Sequence, residues 1–336
     1  MSARPTAKIY RGTPRNLRLL ANAIKKGEVV GVPTETVYGL AGDALNVQAV
    51  KKIFRAKGRP SNDPLIVHLH SLAQLDALAE TSPAVEKLAR AFWPGPLTLV
   101  LPKKPAVPGL VTSGRPSVAV RIPRHPLFLA LLRACARPLA APSANPFGYI
   151  SPTSAAHVRD GLGKKIRYIL DGGTCDIGVE STILDLRDPR HPAILRPGAI
   201  ARRAIERVLR MPVAAAHDEI VTSTQAAVAP GLLARHYSPR TPIELHEKLK
   251  PATTSSTREA FLFFQRPAKL PAGCTAINTF ALTKNGALSN AAKTLFATLR
   301  KLDAGQWTKI HAERAPGDSA LALAINDRLT RAAAKR

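Results

Sequence analysis

The chain has 336 residues, a hydrophobic fraction of 45% and a formal net charge of +26. This length predicts about two domains, and the apolar fraction is ample for their cores. Both halves are basic, since residues 1–219 carry 32 Lys and Arg against 16 Asp and Glu, and residues 220–336 carry 17 against 7. The charge favours an acidic partner such as a nucleotide, tRNA or other nucleic acid, or else reflects only a composition rich in Arg and Lys.

Several protein classes are excluded by what the sequence lacks. No run of about 18 apolar residues occurs, and residues 1–15 contain no apolar core, so we expect a cytoplasmic protein with no spanning helix and no secretory signal. Cys135, Cys175 and Cys274 are far apart and odd in number, which predicts buried small hydrophobic residues rather than disulfides or a metal pair. The motifs GxxxxGK(S/T), GxGxxG after a strand, HExxH and GxSxG are absent, which excludes P-loop enzymes, ordinary dinucleotide-binding domains, zincins and α/β-hydrolases.

Short apolar runs alternate with helical periods from Leu17 to Leu209. Seven such runs predict buried strands between helices, and therefore one α/β domain of about 200 residues around a single twisted sheet. The runs are EVVGV (28–32), PLIVHL (64–69), PLTLVL (96–101), SVAVRI (117–122), RPLAAP (137–142), IRYIL (166–170) and STILDL (181–186).

The pattern changes after residue 211. Residues 212–242 have little periodicity and several Pro, Ser and Thr residues, which predicts a linker. Beyond it we expect strands at EAFLFFQ (259–265), TAINTF (275–280) and TKIHAE (308–313), and helices at about 288–303 and 318–334. The predicted organisation is a domain over 12–211, a linker or lid over 212–242, and a smaller Rossmann-like α/β domain over 243–336.

The segment FRAKGRPSNDP (54–64) allows two interpretations. An amphipathic helix is predicted from Asn46 to Lys57. In one interpretation Asn46 caps this helix, Gly58 ends it in a left-handed conformation, and Lys57 and Arg59 complement the negative end of its dipole. In the other, the two cations are held on a turn between prolines and face an acidic ligand. Local sequence leaves both open.

Polar clusters recur where the predicted strands begin or end. An arginine inside an apolar strand is costly unless it meets a carboxylate or a phosphate, and loops at strand ends bind ligands in open α/β sheets. Turn chemistry or a structural ion pair is the alternative for each cluster taken singly. Together the clusters predict a cationic cavity lined with hydroxyls, suited to a phosphate-bearing ligand and a small zwitterion. They are PTETVYGL (33–40), the turn 57–63 leading to His68, Ser117 with Arg121, APSAN (141–145) with SPT (151–153), GVESTI (178–183) and LRPG (195–198).

These segments resemble the YrdC-type family of threonylcarbamoyl-adenylate synthases over about residues 12–210. The resemblance rests on PTETVYGL, AKGRPSNDPL, FWPGPLT, VAVRIP, APSAN, GVEST and LRPG. Lys57, Arg59, Ser143 and Asn145 match the family's KxR and SxN signature. PGLLARHYSP (230–239), KLDAGQWTKI and LALAINDRLTRAA resemble the linker and small C-terminal domain of a longer, two-domain subgroup.

The resemblance implies a fold and a reaction. The fold is a YrdC-like twisted mixed sheet with flanking helices and a cationic cavity, joined to the small Rossmann-like domain. The reaction is nucleotidyl transfer, in which L-threonine, bicarbonate and ATP, with Mg²⁺, give threonylcarbamoyl-AMP and pyrophosphate, the first step toward N6-threonylcarbamoyladenosine at position 37 of tRNAs. A tRNA threonylcarbamoyl transferase complex is the implied downstream partner. Weak tRNA or double-stranded RNA contact is an accessory expectation, and no metal ligand is assigned to the protein.

The resemblance also implies roles for individual residues. Lys57 and Arg59 would offset the repulsion between the anionic substrates and the charge on the leaving group. His236 and Tyr237 would fold back as a lid over the adenylate. Because the family usually reads DNP at 62–64, either Asn62 or Asp63 makes the nucleotide-side contact. The implied threonine side is Thr36, His68, Arg121, Ser143 and Ser181, with Arg121 suited to bidentate binding of the carboxylate, and the implied ATP side is Arg59, Asp63, Ser117, Asn145, Ser151, Arg196 and Tyr237.

Two other functions were weighed against this one. Carbamoyl transfer in hydrogenase maturation uses a similar domain, but the acylphosphatase-like and zinc-finger regions expected there are missing from this sequence. A non-catalytic double-stranded RNA or tRNA-binding module agrees with the basic charge, yet it is expected to lose Lys57, Arg59, Ser143 or Asn145, and all four are present. The synthase is therefore the favoured function.

Overall fold

A computed structural model describes residues 6–215, 229, 236–250 and 258–334. Its strands form two sheets, a large mixed sheet before the linker and a small parallel sheet after it. Linker residues 216–228 and 230–235, which include most of PGLLARHYSP, lie outside the described residues. Among the helices of the described part, none has the length and apolar character needed to cross a membrane.

The large sheet has eleven strands, and its topology is twisted and mixed, as expected. Its order is β1-β8-β2-β3-β7-β4-β6-β5-β9-β10-β11, and parallel and antiparallel neighbours are equally frequent. The strands are β1 (Lys8–Arg11), β2 (Val30–Val32), β3 (Gly39–Asp43), β4 (Ile66–His68), β5 (Leu97–Pro102), β6 (Ser117–Arg121), β7 (Leu139–Ala140), β8 (Tyr168–Asp171), β9 (Thr182–Asp185), β10 (Ala193–Arg196) and β11 (Ala214–Ala215).

Seven of these strands coincide with the seven predicted apolar runs, and β1, β3, β10 and β11 were not predicted. Strand β3 reads GLAGD, whose two glycines and aspartate are typical of a turn, although every residue in it is buried. Strand β11 pairs in parallel with β10 and so continues the large sheet to Ala215, inside the predicted linker. The boundary at residue 211 remains a prediction.

Six helices flank the large sheet, and the ends of the second follow the expected capping chemistry. Asn46 Oδ1 accepts from the backbone N–H groups of Gln48 and Ala49, and Gly58 has φ 64°, a left-handed conformation that favours glycine. Asn46 and Gly58 therefore begin and end the second helix as predicted. The helices are α1 (Pro14–Lys25), α2 (Val47–Lys57), α3 (Pro83–Phe92), α4 (Pro126–Cys135), α5 (Ala155–Leu162) and α6 (Arg202–Leu209).

The small domain places two helices on one face of a four-stranded parallel sheet. Alternate residues of the sheet, such as Leu262 and Ile310, pack against Leu295 and Leu299 of the longer helix. The strand order is β12-β15-β13-β14. The elements are β12 (Ile243–His246), β13 (Glu259–Gln265), β14 (Thr279–Thr283), α7 (Leu288–Ala304), β15 (Lys309–Glu313) and α8 (Ala320–Ala333).

Two predictions for this region need correction. The strand predicted at 275–280 begins at Thr279, because the Asn278 side chain accepts from the backbone and hydroxyl of Thr275 and folds 275–278 into a turn. Cys135 and Cys175 are buried as expected, but Cys274 is only partly buried. All three thiols are free.

The two domains are joined by polar contacts from α7. The Arg300 guanidinium donates to the backbone carbonyls of Ile150 and Ser151. The Asp303 carboxylate accepts from the Tyr149 hydroxyl at 2.7 Å and from the backbone N–H of Thr241 at 2.9 Å. The helix thus holds both the large domain and the end of the linker.

Gly178 of the large domain packs closely against α7. Its φ is +82°, and a Cβ built there would lie 2.4 Å from the Ala292 carbonyl oxygen and 2.5 Å from Lys293 Cα. Gly173 has a similar φ of +76°, but nothing lies within 4 Å of a Cβ at that position. Alanine substitutions at the two glycines therefore distinguish the cost of backbone strain, present at both positions, from the cost of a clash with α7, present only at Gly178.

We expect Gly178→Ala to destabilise the protein more than Gly173→Ala. The left-handed conformation costs about 1–2 kcal/mol at either position, and overpacking against α7 adds about 1–3 kcal/mol at Gly178 alone. Thermal unfolding by calorimetry compares the two variants with wild type. Equal melting temperatures for the two variants would contradict the close docking of α7.

Candidate active site

A cavity with an empty volume of about 510 Å³, part of it open to solvent, lies against the large sheet. Its walls come from the ends of β2, β6, β7 and β10, the start of β9, strand β4 and the residues at the end of the linker. Eight predicted site residues line it: Thr36, Arg59, His68, Arg121, Ser143, Ser181, Arg196 and Tyr237. The structure therefore brings these separate sequence clusters to one place.

The other five predicted residues lie in or behind the wall and are not part of the lining. All five are at most 4% exposed, and the Ser117 hydroxyl meets no hydrogen-bond partner among the described residues. These residues are Lys57, Asp63, Ser117, Asn145 and Ser151.

Arg121 is engaged by the protein on three sides. Its Nε donates to the Gly95 carbonyl at 3.0 Å, one terminal nitrogen donates to the Thr36 hydroxyl at 3.1 Å, and the other pairs with Glu35 at 2.5 Å. Burial would raise the pKa of Glu35, but the charge and hydrogen bond of Arg121 outweigh it and lower that pKa. Arg121 thus already has one carboxylate partner in Glu35, and its binding of a ligand carboxylate remains a prediction.

The turn after α2 is folded around Arg59. Its Nε donates to the Asp63 carbonyl at 3.0 Å, and one terminal nitrogen donates to the Pro64 carbonyl at 2.7 Å and pairs with the Asp63 carboxylate at 2.9 Å. Burial raises the pKa of Asp63 against the opposing charge of Arg59. Asp63 therefore has an internal partner, and whether Asp63 or Asn62 contacts a nucleotide remains a prediction.

Lys57 fixes a neighbouring loop. Its Nζ donates to the carbonyl of Ser143 at 2.6 Å and to that of Asn145 at 2.7 Å. The Asn145 amide in turn donates to the carbonyls of Pro146 and Tyr149. Burial, reinforced by the charge of Arg59, holds the pKa of Lys57 well below its ordinary value. Lys57 thus positions the loop that carries Ser143, and its catalytic assignment remains a prediction.

Ser181 and Arg196 form the opposite wall. Arg196 donates to the Ser181 carbonyl and to the Ser181 hydroxyl, both at 3.2 Å. The Ser181 hydroxyl also shares a hydrogen bond of 2.8 Å with Thr98. The serine is therefore fixed by neighbours on both sides, and Arg196 presents its guanidinium to the cavity.

His68 lies on β4, in register with Arg121 on β6. Burial lowers the pKa of His68 to about 3, and the charge of Arg121 acts in the same direction. His68 is therefore neutral near pH 7, and it can contribute a hydrogen bond or a ring contact to a ligand but no charge.

Residues at the end of the linker cover the cavity. His236 and Tyr237 line it and pack edge to face, with ring centroids 4.2 Å apart. The buried hydroxyl of Tyr237 meets no hydrogen-bond partner among the described residues. Ala229 is fully buried in a small apolar cluster with Ile66 and Ala119 of the sheet. The lid function of His236 and Tyr237 remains a prediction.

Comparisons with known proteins agree with this geometry. A family model described as "Telomere recombination" (Sua5_yciO_yrdC) matches residues 22–198, and one described as "Threonylcarbamoyl-AMP synthase, C-terminal domain" matches residues 200–334. The chain belongs to the Sua5/YciO/YrdC family. The second match shows that it has the two-domain organisation expected from sequence.

Relatives of similar length carry both domains of this family. A Pyrococcus abyssi protein named threonylcarbamoyl-AMP synthase is 40% identical, over 95% of this chain and 94% of its own. A Bacillus subtilis protein of the same name is 42% identical, over 94% and 92%. The crystal structure of P. abyssi Sua5 complexed with L-threonine superposes with a TM-score of 0.85 at 38% identity, covering 97% of this chain and 98% of that one.

Arg328 is a site residue that sequence analysis missed. It lies on α8 of the small domain and is fully buried, yet its Nε pairs with Glu180 of the cavity lining at 3.1 Å. Glu180 also accepts from the Ser151 hydroxyl at 2.6 Å. The Arg328 guanidinium lies 5.7 Å from the centre of the Tyr237 ring. The small domain of this family member therefore supports the cavity wall directly.

Glu35 and Glu180 belong to two of the predicted polar clusters, and the sequence assigns neither of them a role. Each is buried, each lines or adjoins the cavity, and each is the carboxylate partner of a buried arginine. Charge pairing is the sequence feature that could have assigned them, because a buried arginine needs a carboxylate and each of these glutamates lies in a cluster at a strand end. Arg328 gave no such signal, since a charged residue on an amphipathic helix is usually solvated.

We expect Arg328→Met to destabilise the protein by about 3–5 kcal/mol, because it leaves the buried Glu180 carboxylate without its cation. The double variant Arg328→Met/Glu180→Gln should recover part of this loss. Urea unfolding measures both. Arg314→Met, which removes a pair with the 89% exposed Glu247, is the control and should cost less than about 1 kcal/mol. If Arg328→Met and Arg314→Met lowered the free energy of unfolding equally, Arg328 would not be a structural partner of the cavity.

We expect stability to fall as the pH is lowered from 6.5 to 5. His68 has a depressed pKa when folded, so below its ordinary pKa of 6.5 the unfolded chain binds more protons, which favours unfolding. His68 alone contributes about 2 kcal/mol over this interval. Urea unfolding at pH 7 and pH 5 should show a smaller loss for His68→Gln than for wild type. His191→Gln, which removes an 80% exposed side chain, is the control, and a slope unchanged by His68→Gln would be inconsistent with a neutral buried His68.

Proposed function

We propose that this chain is an L-threonylcarbamoyladenylate synthase that converts L-threonine, bicarbonate and ATP into threonylcarbamoyl-AMP and pyrophosphate. The observation that carries the proposal is one cavity in which Arg59, Arg121 and Arg196 meet the hydroxyls of Thr36, Ser143 and Ser181. Family membership and the names of relatives that align over nearly the whole chain support it.

The chemistry joins two anions. The threonine amine attacks the carbon of bicarbonate, and water leaves to give a carbamate. A carbamate oxygen then attacks the α-phosphorus of ATP, and the bond from that phosphorus to the bridging oxygen breaks, so that pyrophosphate leaves. Fixed cations that face the reacting groups lower the repulsion between carbamate and triphosphate and stabilise the charge on the leaving group. This is nucleotidyl transfer, and we assign the nucleotide side to Arg59 and Arg196.

The threonine side is assigned to the region around Arg121. The L-threonine complex of the P. abyssi relative, which has the same fold over the whole chain, supports a threonine site in this cavity. With Nε committed to Gly95 and single N–H groups committed to Thr36 and Glu35, each terminal nitrogen of Arg121 keeps one further N–H for a ligand carboxylate. Glu35 then acts as the group that orients the guanidinium.

Mg²⁺ is proposed to enter with ATP as part of the substrate. Glu180 of the lining is engaged by Ser151 and Arg328, and Glu35 and Asp63 are engaged by arginines. Mg²⁺ in such sites is commonly held by phosphates and water with few protein ligands, and this suits a cavity whose described carboxylates already have cationic partners. The ion would neutralise triphosphate charge that the arginines do not reach.

The remaining parts of the proposal concern water and partners. We assign to His236 and Tyr237 the exclusion of water from the adenylate, a mixed anhydride that water hydrolyses. We expect the product to pass to a tRNA threonylcarbamoyl transferase complex in the cytoplasm. The net charge of +26 is available for weak tRNA contact during that transfer.

Pyrophosphate release tests the function. We expect release from MgATP only when L-threonine and bicarbonate are both present, because the attacking carbamate forms from the two together. Omitting each substrate in turn and quantifying pyrophosphate gives the answer. Release that ignores threonine would contradict the synthase. No release together with tight binding of double-stranded RNA would favour the non-catalytic RNA-binding module.

The same assay separates the two interpretations of the turn after α2. Arg59→Ala should lower pyrophosphate release by about 100-fold, the effect of removing one group that stabilises transition-state charge. Arg55→Ala is the matched control, because it removes an exposed cation from the last turn of the same helix. A similar small effect of both variants, with only a lower melting temperature, would mean that Arg59 serves the helix end alone.

A further inference from the structure

The face of the small sheet opposite α7 and α8 carries a polar cluster that the proposed reaction does not use. Glu244 and His246 are two residues apart on β12 and so share a face. His311 of β15 lies in register with Glu244, and Lys309 lies in register with Glu259 of β13. The cluster therefore spans three adjacent parallel strands.

Three of these residues present ligand atoms at metal-site spacing. His246 Nε2 lies 3.0 Å from His311 Nδ1 and 3.7 Å from Glu244 Oε1, and His311 Nδ1 lies 4.0 Å from Glu244 Oε2. The three ligand atoms fall within 4.8 Å of one another. Tetrahedral Zn²⁺ with bonds of 2.0–2.1 Å holds its ligand atoms about 3.3 Å apart. The spacing on the sheet brackets that value.

A second carboxylate orients His311. Its Nε2 lies 3.3 Å from Glu259 Oε2, and its ring stacks on Phe261 with centroids 5.2 Å apart. A carboxylate oxygen accepts, so this contact places a proton on Nε2 and leaves the Nδ1 lone pair facing His246 and Glu244. A ligating histidine whose other nitrogen donates to a carboxylate is the usual arrangement in protein metal sites.

The local charge also favours a cation. Glu244 and Glu259 carry two negative charges, and Lys309 returns one positive charge through its contact of 3.0 Å with Glu244 Oε2. That contact leaves Glu244 Oε1 as the oxygen nearer to His246. These three charges sum to −1 before a metal binds.

We propose that Glu244, His246 and His311 bind one divalent transition-metal ion of the Zn²⁺ class, with Glu259 orienting His311. Two imidazoles and a carboxylate suit Zn²⁺ and its neighbours rather than Mg²⁺, so this site is distinct from any Mg²⁺ that accompanies ATP. Three protein ligands leave one tetrahedral position open. The ion would join strands β12 and β15 on the side that the two helices leave uncovered.

Zinc titration of the untagged full-length chain tests the proposal. After removal of metal by a chelator, Zn²⁺ is added in competition with a chromogenic chelator, and the expected result is one saturable site per chain. His246→Ala and His311→Ala should each weaken binding by more than about 10-fold, and Glu259→Gln by about 10-fold. Magnesium at millimolar concentration should not displace the zinc.

Two controls exclude other zinc-binding groups. Cys274→Ser removes the partly buried thiol of the same domain, and His191→Ala removes an exposed histidine that contacts Asp188. Both should bind zinc as wild type does. Zinc should also raise the melting temperature of wild type and of both controls but not that of His246→Ala, which shows in the same experiment that each variant folds. Absence of a saturable site in wild type, or binding unchanged in His246→Ala and His311→Ala, would overturn the proposal.

Discussion

Burial of cationic side chains around one cavity is the constraint on which this structure depends. Lys57, Arg59, Arg121, Arg196 and Arg328 are each at most 6% exposed. A guanidinium cannot shed its charge at accessible pH, so each buried arginine must meet carboxylates, carbonyls or ligand anions. Four carboxylates, Glu35, Asp63, Glu180 and Asp327, pair with three of the arginines. Arg59, Arg121 and Arg196 line the cavity, where an anionic ligand would meet them.

This constraint also explains how the two domains depend on each other. Glu180 in the cavity wall receives its cation from Arg328 on α8, and α7 holds the carbonyls of Ile150 and Ser151 through Arg300. Without the small domain, Glu180 in the wall of the large domain would therefore lack its cationic partner. Breaking a buried ion pair costs more free energy than forming it gains. The pair between Glu180 and Arg328 therefore favours correct docking of the two domains more than it adds to stability.

The sequence predicted the fold class and the seven apolar strands from local periodicity. It predicted eight residues of the cavity lining from polar clusters at strand ends and from the family resemblance, and Tyr237 of the linker came from the resemblance alone. It missed β3 because the glycines, alanine and aspartate of GLAGD disfavour a strand in isolation, while burial between β2 and β7 stabilises it in the fold. It missed Arg328 for a related reason. The partner of Arg328 lies 148 residues away along the chain, and no local pattern reports a contact of that range.

The turn after α2 separates the helix cap from the two cations beside it. Gly58 ends the helix by its own left-handed conformation, so the cap needs neither cation. Lys57 and Arg59 point inward instead, Lys57 to the carbonyls of the loop that carries Ser143 and Arg59 to the cavity. Because Gly58 reverses the chain direction within one residue, Lys57 and Arg59 on either side of it reach different walls of the same cavity. The helix end is thus the structural reason that Lys57 reaches the loop and Arg59 the cavity, since a longer turn would separate the two side chains.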